Sequence, residues 1–204
     1  MDQPQPTIVR VADIAAVPWR NGGGTTRELL AWPDPLDWLL RVSVADIRAS
    51  GPFSAYPGVD RWIAVLEGGS VRLDTAGSES REIMPSQQAL HAFSGDALTH
   101  CTALGPATRD FNIMARRSRV RVRPRALPEC PRLETHATGL GLFVVRAVDL
   151  QQDSGPVWVL RDMALAWWSN PARQLLSLRL ASAGTRGWWF ELEADPPSAP
   201  RRAR

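Results

Sequence analysis

Two segments in the first third of the chain carry the side chains best suited to binding a small polar molecule. They are residues 19–28, WRNGGGTTRE, and residues 51–61, GPFSAYPGVDR. Three consecutive glycines in the first segment allow positive φ and let another group approach the backbone closely. The flanking side chains supply an aromatic face, fixed positive charges and amide or hydroxyl hydrogen bonds. The pattern favours a site for a small polar ligand, although three glycines also occur in plain structural turns.

Two arginines lie where an apolar residue would be expected. Arg41 interrupts the apolar segment 39–42, and Arg61 begins an apolar run that continues to residue 66. A buried arginine must be paired or must meet an anion, and its planar guanidinium matches a carboxylate through two hydrogen bonds. We therefore expect both arginines to contact an acidic ligand. The alternatives are a solvated outer sheet face, or Asp60 as a structural partner of either arginine.

Four further residues are candidates for the same site. Trp19 would stack on a ligand or pack in the core, and Asn21 adjoins the glycines and tolerates their turn conformations. Asn112 shares a strand face with Asp110 and reaches a ligand only if that face points inward. His91 would contact a ligand or lie at the surface or in the core. The expected ligand-binding residues are Trp19, Asn21, Gly22, Gly23, Arg41, Arg61, His91 and Asn112.

No catalytic or metal-binding motif is recognisable. The three histidines, at positions 91, 100 and 136, are not paired at i, i+2 or i, i+4, and the two cysteines lack CxxC spacing. A nucleophile elbow and a phosphate-binding loop are both missing. We predict no metal, no cofactor and no assignable catalytic residue. Turnover would need a general acid or base, for which His91, Glu28 and Asp110 are the alternatives.

Composition narrows the class of protein. The chain has 204 residues, 44% of them hydrophobic, and a formal net charge of +3. Its most basic run, residues 116–125, contains no aromatic residue, so we expect no nucleic-acid partner. The first ten residues lack the apolar core of a signal peptide, and no run of about eighteen apolar residues exists to span a membrane. We expect a cytoplasmic protein without membrane contact.

Alternating apolar and polar residues indicate β-strands along most of the chain. In residues 39–45, the odd positions form one face and the even positions the other; the same holds for residues 110–115. Strands are predicted there, at 62–67 and 71–74, and at 141–148, 157–160, 165–168, 175–180 and 188–192. One short helical turn is expected within residues 11–16. The pattern predicts an all-β protein.

Two features concern the second half. Residues 119–131 contain three prolines and many arginines and are expected to form a linker, and residues 196–204 a disordered tail. The pairs Trp167-Trp168 and Trp188-Trp189 would each send one ring to either side of a sheet. The outward rings would form a domain or subunit interface, and a homodimer is one expectation from this. Alternatively, these rings belong to a closed second core.

Several blocks together resemble the HutD/Ves family. They are VPWRNGGGTTRE at 17–28, DW at 37–38, RVSVA at 41–45, GPFS at 51–54, PGVDR at 57–61, FSGD at 93–96, Gly105 and DFNIMARR at 110–117. Beyond residue 117 the similarity is weaker, with RQLLSL at 173–178 the best segment. The resemblance implies a bicupin, with two small β-barrels of the RmlC-like jelly-roll fold: residues 1–118 form the first barrel and residues 119–195 the second.

The resemblance also implies a function. The family is associated with bacterial histidine utilisation, and its members look like binders of a small acidic metabolite, such as formylglutamate or urocanate, in a regulatory role. In the cupin metal motif, the ligand positions would fall near Tyr56, Gly58 and Arg61, none of which supplies an imidazole or carboxylate. Alternatives are a metal-independent cupin enzyme, such as an isomerase or hydrolase, and a scaffolding protein that uses the tryptophan-rich half.

Overall fold

The computed structural model describes residues 4–127, 132–153, 155–181 and 185–194. These residues form nineteen β-strands and one short 3-10 helix, Val11–Asp13, within the segment where a helical turn is predicted. The all-β prediction is confirmed. The tail predicted at residues 196–204 lies outside the described residues.

The strands of the first half are short and antiparallel to their neighbours. In chain order they are β1 (Thr7–Arg10), β2 (Val17–Pro18), β3 (Gly24–Trp32), β4 (Leu40–Ile47), β5 (Gly51–Pro52), β6 (Val59–Glu67), β7 (Ser70–Thr75), β8 (Arg81–Ile83), β9 (His91–Ser94), β10 (Thr99–Leu104) and β11 (Thr108–Arg116). Those of the second half are β12 (Val120–Ala126), β13 (Arg132–Thr135), β14 (Gly139–Val144), β15 (Val148–Gln152), β16 (Val157–Leu160), β17 (Ala164–Ser169), β18 (Leu176–Leu180) and β19 (Gly187–Ala194).

The strands form two pairs of sheets. The first pair consists of a six-stranded sheet, in the order β2-β3-β4-β11-β6-β9, and a four-stranded sheet, in the order β5-β10-β7-β8. The second pair consists of a five-stranded sheet, β1-β17-β14-β19-β12, and a four-stranded sheet, β13-β18-β15-β16. The two larger sheets lie back to back, because one apolar cluster contains buried residues of both, including Phe111 of β11 and Phe143 of β14. Their ring centroids are 4.3 Å apart.

The alternation read from the sequence sets the two faces of the six-stranded sheet. Leu40, Val42 and Val44 of β4 belong to the apolar cluster against the second half. The opposite face of β4, with Arg41 and Ser43, points into the first sheet pair and lines a cavity there. The predicted division of faces is therefore confirmed for residues 40–45; Leu39, predicted to share the face of Arg41, precedes β4 and packs in the apolar cluster instead.

The tryptophan pairs divide as predicted, and both alternatives apply at once. Trp168 and Trp189 point into the second sheet pair and pack in its core. Trp167 and Trp188 point out of it and pack in the cluster between the two larger sheets. The outward rings are therefore covered by the first half of the same chain.

Two expectations about the boundary between the halves are wrong. Residues 120–126 are not linker: β12 pairs with β19 over its whole length. β12 is the edge strand of its sheet. An edge strand tolerates Pro124, because no neighbouring strand on its open side needs a hydrogen bond from it. Residues 7–10 do not join the first barrel, because β1 pairs with β17 of the second half. A four-residue edge strand carries too little pattern to reveal its partner. The rest of the predicted division, a first barrel that ends at residue 118 and a second that begins at residue 119, stays a prediction.

Within the described ranges, none of the helices is long and apolar enough to cross a membrane.

Candidate functional site

A cavity of about 840 Å³ opens between the six-stranded sheet and the loops that precede β3 and follow β5. Its wall combines charged, amide and aromatic side chains. The lining residues are Val17, Pro18, Trp19, Arg20, Asn21, Thr26, Glu28, Arg41, Ser43, Ala45, Pro52, Phe53, Ser54, Ala55, Tyr56, Arg61, Asp110, Asn112 and Met114.

Strand register arranges the floor of this cavity in rows. On the central strand β11, Met114 faces Arg41 of β4 on one side and Arg61 of β6 on the other. Asn112 likewise pairs with Ser43, and Asp110 with Ala45. Directly opposed residues share a face of the sheet, so these side chains all project to the cavity side. Arg41 and Arg61 are two strands apart, which corresponds to about 10 Å between their backbones.

Arg61 is the most unusual of these residues. Its side chain is buried, with 9% of the residue exposed, and its guanidinium carbon lies 4.7 Å from the ring centroid of Phe93 and 5.2 Å from that of Phe53. Nη1 donates to the carbonyl oxygen of Ser54 at 3.2 Å, whereas the buried Nε has no partner. Burial lowers the pKa of Arg61 from its ordinary value, but a guanidinium remains a cation at neutral pH. A buried cation with a free donor is a candidate binding site for an anion.

Asp110 is the second unusual group. It is 1% exposed, Asn112 Nδ2 donates to its Oδ1, and its buried Oδ2 has no partner. Burial raises the pKa of Asp110 to about 7, although the hydrogen bond from Asn112 and the charge of Arg61 act in the opposite direction. The carboxyl group therefore titrates near neutrality while facing the cavity.

Arg41 forms an ion pair, unlike Arg61. Its Nε donates to Glu28 Oε2 at 2.5 Å, and the pair is partly exposed at the cavity wall. A ligand carboxylate would have to compete with Glu28 for Arg41. Arg41 is thus a weaker candidate anchor than Arg61.

The segment 19–24 forms a fixed rim. Trp19 Nε1 donates to Thr26 Oγ1 at 2.7 Å, and the Trp19 ring meets Phe53 edge to face with centroids 6.3 Å apart. Asn21 Oδ1 accepts a hydrogen bond from the backbone N–H of Gly23 at 3.0 Å. Gly22 adopts φ = +71°, which favours glycine at that position.

The glycines themselves do not line the cavity. A Cβ on Gly23 would meet Asn21 Oδ1 at 3.3 Å, and one on Gly24 would lie 2.4 Å from the carbonyl oxygen of Asp46. Gly24 thus allows the chain to pass close to β4, and Gly23 and Gly22 place Asn21. The loop supports the rim through its backbone geometry.

His91 also lies outside the cavity wall. It lies on β9, at the edge of the six-stranded sheet, where it pairs with Ile63 of β6 and stacks on Phe93 with ring centroids 6.1 Å apart. Burial and the charge of Arg81 lower the pKa of His91. It supports the ring that covers Arg61.

The structure therefore brings five of the eight expected residues to one cavity: Trp19, Asn21, Arg41, Arg61 and Asn112. Sequence reasoning missed the rings of Phe53, Tyr56 and Phe93 around Arg61. Phe53 and Tyr56 belong to segment 51–61, so their proximity to Arg61 in sequence was a usable signal. Phe93 comes from a strand thirty residues away and gave none.

The structure offers no second site of comparable chemistry among the described residues. Over the part of the chain that the structure describes, no three His, Cys, Asp or Glu side chains converge as metal ligands. A second depression of about 560 Å³ lies near β5, β7 and β10, with Asp74, Ser80 and His100 in its wall. Ser80 Oγ donates to Asp74 Oδ1 at 2.5 Å there. The carboxylate of Asp74 disfavours an acidic ligand in this depression.

Antiparallel sheets in facing pairs, with a cavity inside one pair, define an all-β protein of the cupin type. The sequence profile of the HutD family matches residues 11–186, and the chain belongs to this family.

Three relatives illustrate the relationship. The chain is 38% identical over 140 residues to a 21.2 kDa protein in the hutC 3′ region of Pseudomonas putida, covering 67% of this chain and 72% of the relative. It is 32% identical over 167 residues to protein Ves of Cronobacter sakazakii, covering 79% and 86%. The solved structure of HutD from Pseudomonas fluorescens SBW25 is 27% identical, with a TM-score of 0.82, and the match covers 94% of this chain and 100% of that one.

Proposed function

We propose that the cavity of the first sheet pair binds a small carboxylate-bearing metabolite of histidine catabolism, of the formylglutamate or urocanate class, and that binding serves regulation. The observation that carries the proposal is Arg61, a buried guanidinium with an unpartnered Nε in the cavity wall. The pathway is supported by the HutD family match and by the relative in the hutC region.

Arg61 selects for a carboxylate through its geometry. Three rings and the Ser54 carbonyl fix the guanidinium plane, so little conformational freedom is left to lose on binding. Among the described residues, no carboxylate forms an ion pair with Arg61. A ligand carboxylate would supply the missing partner through a charge-assisted hydrogen bond to Nε.

The rest of the wall suits the body of such a metabolite. Trp19, Phe53 and Tyr56 provide ring surfaces for a planar or aliphatic segment, and Asn21 and Asn112 provide amide groups for its polar atoms. The cavity of about 840 Å³ falls in the roughly 300–1,000 Å³ range of small-molecule pockets. A second carboxylate would meet Arg20 or Arg41 at the wall.

Calorimetric titration with N-formyl-L-glutamate and urocanate tests the proposal. Each ligand is compared with its fully amidated analogue, the diamide of N-formyl-L-glutamate and the amide of urocanate, which keeps the shape and removes the carboxylate charge. The parent protein is expected to bind the acids and not the amides. Arg61→Gln should lose roughly 2–5 kcal/mol of binding free energy, the range for breaking a buried charge pair.

Arg123→Gln is the matched control, because Arg123 is exposed on β12 of the second half. It should bind like the parent protein. Equal affinity of Arg61→Gln and the parent for a bound acid would remove Arg61 as the anchor. Equal binding of acid and amide would remove the carboxylate from the proposal.

A metal-independent enzyme is the second candidate, and one observation favours it. Asp110 faces the cavity with a pKa raised to about 7 by burial, the range in which a general acid or base works best. Of the other two acid–base alternatives, Glu28 is bound to Arg41 and His91 lies outside the cavity wall. Overnight incubation of urocanate or N-formyl-L-glutamate with protein, followed by proton NMR, would show turnover. Unchanged spectra, matching those of Asp110→Asn, would exclude both as substrates.

A further inference from the structure

We propose that Asp110 is a second anchor of the same cavity and acts as a neutral hydrogen-bond donor, so that a ligand carboxylate is held between Arg61 and the Asp110 carboxyl group and binding is coupled to a proton. This inference rests on the proposed function, because it concerns the same cavity and the same class of ligand. It adds a pH dependence that arginine alone would not give.

Burial and position place Asp110 in this role. Asp110 lies on the cavity side of β11, and Met114, four residues along the same face, stands opposite Arg61. The charges of Asp110 and Arg61 act on each other, yet the two side chains form no hydrogen bond in the described structure. Each retains one buried, unpartnered polar atom: Oδ2 of Asp110 and Nε of Arg61. Both side chains line the same cavity, so a small rotation of each would let one ligand satisfy both atoms.

The hydrogen bond from Asn112 decides which oxygen carries the proton. Asn112 Nδ2 donates to Asp110 Oδ1, so Oδ1 is the acceptor of the carboxyl group. A proton on the acid therefore resides on Oδ2, the oxygen without a partner. In that state the two unpartnered atoms are both donors, Arg61 Nε–H and Asp110 Oδ2–H. A carboxylate has the acceptor oxygens that both require.

The ionised form of Asp110 would have the opposite effect. It offers only acceptors, and its negative charge would repel a ligand carboxylate at short range. Burial raises the pKa of Asp110 to about 7, so both forms are populated near neutral pH. A bound anion close by would raise this pKa further, and at pH 8 the complex should take up a proton from solution.

Several other charged or titratable groups surround Asp110. On the neighbouring strands and the cavity wall they are Glu28, Arg41, Asp46, Tyr56, Arg61 and Cys101. Arg61 lowers the pKa of Asp110 and Asp46 raises it. Asp46 is itself bound to Arg27 and Arg109. Burial, followed by the charge of Asp110, raises the pKa of Cys101 to about 12, so this group stays a neutral thiol.

The affinity for a carboxylate ligand should depend on pH. Affinity for a carboxylate should be highest and constant at pH values well below 7, where Asp110 is protonated in the free protein. Above that value affinity should fall by about tenfold per pH unit, with the protonated fraction. N-formyl-L-glutamate keeps the same charge from pH 6 to 9, so the ligand contributes no slope of its own.

The test is calorimetric titration of N-formyl-L-glutamate at pH 6, 7, 8 and 9, in two buffers with different ionisation enthalpies. The parent protein should lose affinity about tenfold per unit above pH 7 and take up nearly one proton per ligand at pH 8. Asp110→Asn should remain within a few-fold of the parent's pH 6 affinity at every pH, because the amide N–H replaces the acid O–H. Its proton uptake should be zero.

Two further variants keep the outcome interpretable. Asp149→Asn changes an exposed carboxylate on β15 of the second half and should keep the parent pH profile. Asn112→Ala removes a hydrogen bond that lowers the pKa of Asp110, and should move the midpoint of the affinity profile to higher pH. This variant tests the inference even if Asp110→Asn does not fold.

Failure of the inference differs from failure of the proposed function. Tight binding with a flat profile from pH 6 to 9 and no proton uptake would overturn the role of Asp110 and leave Arg61 as the anchor. A parent-like pH slope in folded Asp110→Asn would also overturn it. No binding of the acid at any pH would overturn both.

Discussion

Both sheet pairs of this chain enclose an interior between antiparallel sheets, but the residues that face the two interiors differ in kind. In the first pair, the central strands present Arg41, Arg61, Asp110 and Asn112 to a cavity. In the second, the corresponding side chains are leucine, valine, alanine and tryptophan packed in a core. The same architecture therefore serves as a site in one half and as a packed core in the other, depending on which residues occupy the inward positions.

Hydrogen bonding shows the same difference. Trp168 Nε1, inside the second pair, donates to Gln152 Oε1 at 3.0 Å and is fully buried. In the first pair, the buried Nε of Arg61 and Oδ2 of Asp110 have no partner. Native interiors seldom leave such atoms unsatisfied. Among the described residues, the unpartnered atoms of the first interior lie on its central strands β6 and β11, whereas Arg10 Nε, also buried and unpartnered, lies on β1, the edge strand of the second pair.

The largest effect is expected from Trp168→Ala, which should lower the free energy of unfolding by roughly 3–5 kcal/mol because it opens a cavity in a closed core. Binding of N-formyl-L-glutamate by the protein that remains folded should be unchanged. The comparison variant is Trp19→Ala, in the half-buried cavity rim, which should reduce binding more than stability. Urea unfolding and titration of both variants provide the measurements, and the reverse pattern would contradict the division of roles.

Stability should depend on pH through Asp110. Burial raises its pKa in the folded protein from the ordinary 3.8 to about 7, so the contribution of Asp110 to stability is full below pH 4 and falls as pH rises toward 7. The loss should amount to roughly 4 kcal/mol or less. Urea unfolding of Asp110→Asn at pH 5 and pH 8 should show little of this loss. If the variant and the parent have the same slope between pH 5 and 7, Asp110 is not buried as described.

Gly24→Ala should cost roughly 1–3 kcal/mol of stability through overpacking. The added Cβ would lie 2.4 Å from the carbonyl oxygen of Asp46 and 3.0 Å from the Trp19 ring. Thermal unfolding checks the effect. Gly51→Ala is a mild control, since its added Cβ would meet only Asn21 Nδ2, at 4.0 Å. Equal melting temperatures for Gly24→Ala and the parent would show that β3 and β4 can separate at little cost.

The smallest effect is expected at Gly23. A Cβ there would touch Asn21 Oδ1 at 3.3 Å and no atom of the cavity floor, so Gly23→Ala should reduce carboxylate affinity only few-fold, by displacing Asn21. Titration at a temperature where circular dichroism shows native structure measures it. Complete loss of binding in folded protein would mean that the glycine backbone itself touches the ligand.

Alternation along single strands was enough to predict the faces of the site. Alternation predicted that Arg41 and Val42 point to opposite faces of their strand and that Asn112 and Asp110 share a face. Both predictions hold in the sheet. Alternation gives the direction of a side chain within a strand, because successive residues point to opposite faces.

Partners across strands could not be predicted in the same way. Arg41 meets Glu28 because β3 pairs with β4 in a register that shifts between Glu28 and Leu30. Phe93 reaches Arg61 because β9 joins the sheet beside β6. β1 pairs with the distant β17. Such contacts depend on the order and register of strands, which no short stretch of sequence encodes.

The most direct test of the account is a crystal structure of the protein with N-formyl-L-glutamate bound. The account predicts a ligand carboxylate in the first cavity, with one oxygen about 2.7–2.9 Å from Arg61 and the other within hydrogen-bond distance of Asp110 Oδ2. A ligand seated instead in the depression near His100, or in the cavity with its carboxylate turned away from Arg61, would contradict the central claim.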